Sequence, residues 1–397
     1  MLERVSNGRG VATRGRLRVL YLIESLGRGG AEQSLLNTLR ALDRERFEVA
    51  VCHLYPAADL GTELSALGVP VWSLGLQTIR DLPSGLPRLA SRVRAYRPQI
   101  LHTHLFAANL LGRLVGRLTR VPAIMTTVHY TDHEPGDWTT YSRKRHLIDF
   151  LTVHPGSDRI IAVSEAVARS TRRRLGVRRV VVIPNAVDVA RFDPPAASSA
   201  QAVRADLGCY SGEVLLLTVG RLHPQKGHRY AILALRRLEE LGINARLIVV
   251  GEGPLEAELQ AFAETQGVAD RVRLLGSRDD VPRLLSAADV FVFPSLGEGQ
   301  GLALVEAMAA GKPCVASNIP AIAEMVTDGQ TGLLVPPGDV DALTARLAAL
   351  CRDPLWRARI GAAARAHVAA RYDVGVVAHQ LQRVYDATLA RRRRPTV

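Results

Sequence analysis

The alternation of short apolar runs with longer helical patterns constrains the fold of this 397-residue chain most strongly. From Arg18 onward, runs rich in β-branched residues or Leu are each followed by a segment with helical periodicity. Such repeated βα units predict parallel strands joined by helices. The pattern excludes an all-α and an all-β fold.

The predicted strands fall into two series, separated by a segment rich in Pro, Ser and Ala at residues 188–200, which we interpret as an interdomain linker. The first series lies at residues 19–23, 47–54, 69–74, 100–102, 123–128, 159–163 and 180–183. The second series lies at residues 214–219, 246–250, 272–275, 290–293 and 313–316, and helical patterns follow at 341–351, 355–371 and 374–389.

Two series of this length are enough for two α/β domains, each with its own core. We expect two Rossmann-like, doubly wound domains facing a cleft, at residues 1–190 and 191–372, with a C-terminal helix and basic tail at 373–397. Ligands of such sheets bind at the carboxyl ends of the strands. The functional site is therefore expected in the cleft.

The composition points to an acidic partner. A formal charge of +13 and a pI of about 10.2 suit a nucleotide diphosphate, an anionic lipid surface or a nucleic acid. Only 5% of residues are aromatic and no nucleic-acid motif is recognisable, so no nucleic acid is expected.

The compartment is predicted to be the cytoplasm. Four scattered cysteines without a CxxC pair indicate a reducing environment. The N-terminus lacks the features of a secretory signal, and no run has the length of a membrane span. Basic and apolar residues mix at 105–120, 141–151 and 166–179, which fits peripheral contact with an anionic membrane at its inner face, although ordinary outer faces of a domain would look the same.

A glycine-rich stretch carries two carboxylates with seven residues between them. Glu298 lies in a loop, and Glu306 lies in the apolar helical run that follows. The helix start near Gly301, Leu302 and Ala303 offers unpaired N–H groups to an anion. Glu306 could accept two hydrogen bonds from a vicinal diol such as ribose, and Glu298 could bind sugar hydroxyls. A loop acid followed by a solvated helix acid remains an equal alternative.

Two further loops follow predicted strands. Arg221 and Lys226 lie on a glycine-bounded loop, where fixed positive charge could stabilise a diphosphate leaving group. Gly29 and Gly30 open a helix after the first strand without the full spacing of a dinucleotide-binding motif, so they either let the backbone approach a ligand or form a tight turn.

Histidines end two predicted strands. His129 is expected to face the cleft and to hydrogen bond a donor sugar or shape the reaction centre, with a structural role equally open. His104, and with it Asn109 on the following helix, is assigned to the acceptor side. The single Asp-x-Asp pattern, Asp339 and Asp341, precedes a helical run and reads as a helix cap. No essential metal and no cofactor are therefore expected.

Taken together, these segments resemble the retaining GT-B glycosyltransferases of family 4, also called group 1, over most of residues 19–390. The segments that carry the resemblance, in family order, are GRGGAEQSLLNTL, LHTHLFAANLLGRL, AVSEAVA, VIPNAVD, VGRLHPQKG, LIVVGEGPLEAEL, AADVFVFPS, EGQGLALVEAMAAGKPCVAS and TDGQTGLLVPPGD. Gln300 departs from the family pattern, in which many members carry an aromatic residue.

The resemblance implies a role for each matching position. Arg221 and Lys226 would bind the diphosphate, Glu306 the ribose, and Glu298 and His129 the donor sugar. The remaining donor-binding positions would be Gly29, Gly30, Gly301, Leu302, Ala303, Leu275 and Ser277.

The resemblance also implies the reaction. The enzyme would transfer a sugar from a nucleotide diphosphate sugar to a hydroxyl of a glycan or lipid-linked acceptor, with retention of the anomeric configuration, in polysaccharide or glycolipid assembly. An epimerase or a phosphorylase on the same fold, and a non-catalytic nucleic-acid binder, are the alternatives.

Overall fold

The computed structural model describes residues 15–57, 59–130, 143–193 and 197–393. The predictions for the first 14 residues, for linker residues 194–196, for residues 141 and 142 of one basic segment and for tail residues 394–397 lie outside this part of the chain.

The first half of the chain forms a parallel sheet of seven strands in the order β3-β2-β1-β4-β5-β6-β7. Its central strands are buried on both faces because helices cover them, which is why their sequences are continuous apolar runs. The strands are β1 (Leu17–Ile23), β2 (Phe47–His53), β3 (Val71–Ser73), β4 (Ile100–His104), β5 (Ala123–Val128), β6 (Arg159–Ala162) and β7 (Val180–Val182). The helices between them are α1 (Gly30–Ala41), α2 (Gly61–Ala66), α3 (Leu82–Tyr96), α4 (Phe106–Leu118), α5 (Arg143–Gly156) and α6 (Glu165–Leu175).

The second half forms a parallel sheet of six strands in the order β10-β9-β8-β11-β12-β13. Its strands are β8 (Val214–Val219), β9 (Ala245–Val250), β10 (Val272–Leu274), β11 (Val290–Phe293), β12 (Cys314–Ser317) and β13 (Leu333–Val335). Its helices are α7 (Ala197–Asp206), α8 (His228–Glu240), α9 (Glu256–Thr265), α10 (Val281–Ala287), α11 (Leu302–Ala309), α12 (Pro320–Ala323), α13 (Val340–Arg352) and α14 (Pro354–Arg371).

All seven strands predicted for the first sheet are present, and so are all five predicted for the second. Their ends differ from the predicted ends by up to two residues. The prediction missed β13 because three apolar residues between turn residues carry no periodicity. The structure confirms the expectation of two Rossmann-like α/β domains.

The segment predicted as a linker is only partly one. Residues Val189–Phe192 form a 3₁₀ turn, and Val189 and Phe192 are buried in the core of the second domain. Helix α7 then begins at Ala197. The sequence did not predict the burial of these two apolar residues, because the segment around them is rich in Pro, Ser and Ala.

The last helix, α15 (Val374–Arg393), packs against α1 of the first domain. Its apolar face includes Val377, Leu381 and Leu389, which belong to the same core cluster as β1. The hydroxyl groups of Tyr385 and Tyr21 lie 2.7 Å apart in this core. The chain therefore returns to the first domain after completing the second.

The carboxyl ends of both sheets face the same cleft, and the two domains touch across it. Ser164 Oγ donates a hydrogen bond to the carbonyl oxygen of Gly299 (2.6 Å), and the guanidinium of Arg28 lies 2.7 Å from the carboxylate of Asp279. These contacts place the loops after β1, β6, β10 and β11 around one space.

Candidate functional site

On the second domain, the loops after β8 and β11 are held together by direct bonds. Gln225 Nε2 donates to the carbonyl oxygen of Gly297 (2.6 Å), and the N–H of Leu296 donates to the carbonyl oxygen of Gln225 (2.7 Å). Gly227 adopts a φ of +67°, and a Cβ atom there would lie 2.1 Å from the carbonyl oxygen of Pro294. The contact requires glycine, and it fixes the basic loop against the acidic one.

Lys226 and Glu298 meet at the junction of these loops. Lys226 Nζ lies 2.6 Å from Glu298 Oε1, and the two side chains are 18% and 8% exposed. Arg221, on the same loop as Lys226, is exposed. The structure thus brings together the three side chains that the sequence assigned to the diphosphate and the donor sugar.

Helix α11 begins beside this pair, as predicted. Gly301 is its N-cap with a φ of +88°, and no side chain caps the helix. A Cβ atom at Gly301 would lie 3.0 Å from the ring of Phe293, so the position favours glycine on both conformational and steric grounds. No side chain accepts a hydrogen bond from the first N–H groups of α11, and helix N-termini of this kind can bind anions.

Glu306 lies one turn into α11. No described residue hydrogen bonds to its carboxylate, which is half-buried among apolar neighbours. Burial raises the pKa of Glu306 to about 7, although the charge of Arg191 lowers it. A carboxylate with a pKa near 7 and no hydrogen-bond partner destabilises the folded protein when it ionises. Such perturbed groups are typical of ligand-binding sites.

The glycine loop of the first domain lies directly opposite. Gly30 is the first residue of α1, and a Cβ atom there would lie 3.9 Å from the Cβ of Leu302, the first residue of α11. Two helix N-termini therefore meet across the cleft. A Cβ atom at Gly29 would lie 2.3 Å from Glu32 Oε2, so a side chain there would displace the carboxylate of Glu32.

His129 follows β5 and is buried at the domain interface. Its Nε2 lies 3.1 Å from Nδ1 of His104. Its carbonyl oxygen lies so close to Gly299 that a Cβ atom at this glycine would be 1.8 Å from the oxygen. Burial lowers the pKa of His129 to about 4 and holds the pKa of His104 well below its usual value. Both rings are therefore neutral at pH 7, and one donates its N–H to the other.

The two acceptor-side assignments, His104 and Asn109, are buried behind the cleft. Asn109 Nδ2 donates to the carbonyl oxygen of Thr127 (3.2 Å), and both Asn109 Oδ1 and His104 Nε2 lack a hydrogen-bond partner. Their assignment to an acceptor stays a prediction.

An open cavity of about 620 Å³ lies beside the start of the loop after β10. The N–H of Ser277 donates to Glu252 Oε1 (3.2 Å), and Leu275 precedes it at the strand end. The cavity is lined by Arg28, Asp59, Glu252, Ser277, Arg278, Asp279 and Asp280. Of the two donor-binding positions predicted on this loop, Ser277 lines the cavity.

Gln300 has a structural role that the sequence did not predict. Its Oε1 accepts from the N–H of Asn185 (2.6 Å) and its Nε2 donates to the carbonyl oxygen of the same residue (3.2 Å). The amide thereby links the acidic loop to the chain crossing between the domains. An aromatic side chain could not form this pair of bonds.

The Asp-x-Asp pattern is a helix cap, as predicted. Asp339 Oδ1 accepts from the N–H of Ala342 (2.9 Å) at the start of α13. Among the described residues, no group of three or more His, Cys, Asp or Glu side chains could hold a metal ion. Nor does that part of the chain contain a helix long and apolar enough to cross a membrane.

The chain matches two family models, one in each half. Residues 28–191 match the model "Glycosyltransferase Family 4", and residues 199–367 match "Glycosyl transferases group 1".

Among curated proteins, the chain is 30% identical to the Escherichia coli UDP-Gal:alpha-D-GlcNAc-diphosphoundecaprenol alpha-1,3-galactosyltransferase, over 79% of this chain and 82% of that protein. It is 35% identical to the phosphatidyl-myo-inositol mannosyltransferase of Mycobacterium leprae, over 76% and 77%. Among solved structures, Anabaena Alr3699/HepE in complex with UDP and glucose superposes with a TM-score of 0.83 at 23% identity, covering 94% of this chain and 100% of that one.

Proposed function

This chain belongs to the group 1, family 4 GT-B glycosyltransferases, and we propose that it transfers a sugar from a nucleotide diphosphate sugar to an acceptor hydroxyl with retention of the anomeric configuration. The observation that carries the proposal is the convergence of Arg221, Lys226, Glu298 and Glu306 at one edge of the second sheet, opposite the N-terminus of α1.

Each part of the donor is bound by different residues of the site. The two converging helix N-termini and the cationic side chains of Arg221 and Lys226 stabilise the diphosphate. The carboxylate of Glu306 accepts hydrogen bonds from the ribose hydroxyls. Glu298, held by Lys226, orients the hydroxyls of the donor sugar, and neutral His129 supplies a further hydrogen bond from the first domain.

In the reaction, the bond between the anomeric carbon and the diphosphate breaks while a bond to the acceptor oxygen forms on the same face of the sugar. The acceptor proton moves to an oxygen of the departing diphosphate. The charge that develops there is stabilised by Arg221 and Lys226, so the proposal requires neither a nucleophilic side chain nor a metal ion.

The relatives favour a UDP sugar and a lipid-linked acceptor as the first substrates to test. The E. coli relative is named for UDP-galactose and an undecaprenol-linked sugar diphosphate, and the Anabaena structure contains UDP and glucose. The mycobacterial relative is named for a phosphoinositide. We therefore propose a role in glycolipid or polysaccharide assembly in the cytoplasm.

A thermal-shift screen tests the donor proposal. UDP, GDP, ADP and their sugars are added to the protein with and without EDTA, since a ligand of the folded state raises the melting temperature. One nucleotide is expected to raise it with EDTA present. A shift that disappears with EDTA would contradict metal independence, and the absence of a shift with every nucleotide would contradict the donor site.

A membrane-bound acceptor requires a surface that reaches the lipid. Six of the twelve exposed large apolar side chains in the described residues lie on the adjacent helices α4 and α5: Leu114, Leu118, Leu147, Ile148, Phe150 and Leu151. Exposed basic residues, including Arg120 and Lys144, flank them. We propose that this face rests on an anionic membrane.

Vesicle flotation tests this surface. Replacing Leu147 and Leu151 by Ser is expected to abolish flotation with anionic vesicles at low salt. The matched control replaces Leu241 and Leu355, which are 51% and 84% exposed elsewhere, and is expected to float like the parent. Equal flotation of all three proteins, or of none, would refute the assignment.

A further inference from the structure

The first sheet has its own topological switch point, which the donor-site residues do not fill. Strands β1 and β4 are neighbours, and the strand order runs outward from them in both directions. In the second sheet, the equivalent neighbours are β8 and β11, and their loops carry Lys226 and Glu298. Crevices at such points are where doubly wound sheets bind ligands.

Glu24 spans the crevice of the first sheet. It is the first residue after β1, and its Oε1 accepts a hydrogen bond from the N–H of Ala107 (2.6 Å), in the first turn of the helix that follows β4. The side chain is half-buried. Its second carboxylate oxygen accepts no hydrogen bond from any described residue, so the carboxylate is held in place with one oxygen still available.

The charged groups that act on Tyr130 include Glu24. The charges of Glu32, Glu24 and Glu298 raise the pKa of Tyr130, and that of Arg221 lowers it, after a larger effect of burial. Groups from both domains therefore act on one side chain in the cleft. Burial also raises the pKa of Glu24, while the bond from Ala107 and the charge of Arg145 lower it.

A carboxylate at this position suits a hydroxyl rather than a phosphate. The cationic side chains of Arg221 and Lys226 lie on the opposite domain, at the donor loops, whereas Glu24 would repel a diphosphate. A carboxylate oxygen is an acceptor only, and its natural partners here are sugar hydroxyl groups.

We propose that Glu24 binds the acceptor: its free oxygen accepts a hydrogen bond from an acceptor sugar hydroxyl and so selects which hydroxyl faces the donor. The inference rests on the proposed glycosyl transfer. Glu24 is a binding and specificity residue in this account, and the acceptor proton still moves to the diphosphate.

Two variants separate this role from a structural one. Glu24→Gln keeps an amide oxygen for the N–H of Ala107 and replaces the charged acceptor by an amide group. Glu24→Ala removes both functions. Glu63→Gln, a surface acid paired with Arg40 in the same domain, is the control. Melting temperature checks that each variant is folded.

The assay uses a UDP sugar as donor and a synthetic α-D-GlcNAc-diphospholipid as acceptor probe. Transfer rates, donor hydrolysis without acceptor and the Kd of UDP are measured for each protein. We expect Glu24→Gln to raise the acceptor KM about tenfold, the loss of one charge-assisted hydrogen bond, with UDP binding and hydrolysis unchanged. An unchanged acceptor KM, or equal losses in UDP binding and hydrolysis, would overturn the proposal.

The outcome for Glu24 is distinguishable from failure of the proposed function. A parent protein that neither binds nucleotides nor cleaves the donor would refute glycosyl transfer itself. If the parent cleaves the donor but does not use the probe, saturation-transfer NMR with methyl α-glycosides of GlcNAc, galactose, glucose and mannose decides. Binding that Glu24→Ala abolishes supports the inference; binding that persists, or is absent from the parent, overturns it.

Discussion

Replacing Glu306 by Gln should stabilise the free protein and weaken nucleotide binding at the same time. The carboxylate has no hydrogen-bond partner among the described residues, and burial raises its pKa from 4.5 to about 7. The charged form is therefore disfavoured by folding. Glutamine has nearly the same shape and carries no charge.

The magnitude follows from the shift. A rise in the pKa from 4.5 to about 7 corresponds to roughly 3 kcal/mol at full ionisation. We halve this because the side chain is partly exposed and the amide also loses some hydration, which leaves about 1–2 kcal/mol. For a domain of this size the melting temperature should rise by about 2–8 °C.

The sign depends on pH in a defined way. The pKa of Glu306 is higher in the folded than in the unfolded protein, so ionisation destabilises the fold. This cost is small below pH 4.5, grows as the pH rises through 4.5 to 7, and is complete above 7. Glu306→Gln should therefore stabilise the protein clearly at pH 8 and only slightly at pH 5.

Nucleotide binding should change in the opposite direction. The carboxylate can accept from both ribose hydroxyls, whereas the amide offers one oxygen, so the Kd of UDP should rise about tenfold to a hundredfold. In the parent protein, UDP should bind about tenfold more weakly at pH 6 than at pH 8, because only about a tenth of Glu306 is ionised at pH 6. The variant should lack this part of the pH dependence.

Thermal scans at pH 5 and 8 and calorimetric titration with UDP at pH 6 and 8 measure all four quantities. The variant itself is the control for titration of the nucleotide phosphate. A variant that is less stable than the parent at pH 8 without nucleotide would show that the carboxylate has a partner in the folded protein. Unchanged UDP affinity would show that Glu306 does not bind the ribose.

Four other substitutions test three separate points. Arg221→Ala and Lys226→Ala should each lower kcat about a hundredfold or more, while the protein still binds nucleotide. The rate of donor consumption at saturating substrate measures kcat. A loss in nucleotide affinity alone would contradict a role in leaving-group stabilisation. Gly299→Ala places a methyl group 1.8 Å from the carbonyl oxygen of His129, so the two domains can no longer make this contact and the cleft cannot close. Activity should therefore fall about a hundredfold, while the far-UV circular dichroism spectrum stays unchanged. The hydroxyl of Tyr385 lies 2.7 Å from both a tyrosine hydroxyl and a histidine ring, so Tyr385→Phe leaves these buried groups without a partner. Urea unfolding should show that the free energy of unfolding falls by about 1–3 kcal/mol. A loss below about 0.5 kcal/mol would contradict the inferred anchoring of α15.

The strands and most helices could be predicted because their signal is local. Apolar runs flanked by turn residues identify β1 to β12, and the glycine and helix signals place Glu298 and Glu306 on their loop and helix. The three-residue β13 has too few residues for a periodic signal.

Long-range contacts were beyond a reading of the sequence. Lys226 and Glu298 are 72 residues apart, and Gln300 and Asn185 are 115 residues apart. Their meeting depends on which strands are neighbours and on how the two sheets face each other. The same holds for α15, whose amphipathic pattern predicts a helix but does not specify that it packs on the first domain.

Glu24 could have been found from the sequence with one further step. It is the first polar residue after a buried central strand, a position that faces the cleft in a doubly wound sheet. The sequence did not indicate that β4 would lie beside β1, so that the N–H of Ala107 in the helix after β4 becomes its partner.

The anomeric configuration of the product tests the central claim most directly. The enzyme is incubated with an α-linked UDP sugar labelled with ¹³C at the anomeric carbon, together with the α-D-GlcNAc-diphospholipid probe, and the product is followed by NMR. We expect an α-linked product in the presence of EDTA, formed much more slowly by Lys226→Ala. A β-linked product would contradict same-face transfer, and equal rates for parent and variant would contradict the proposed role of Lys226.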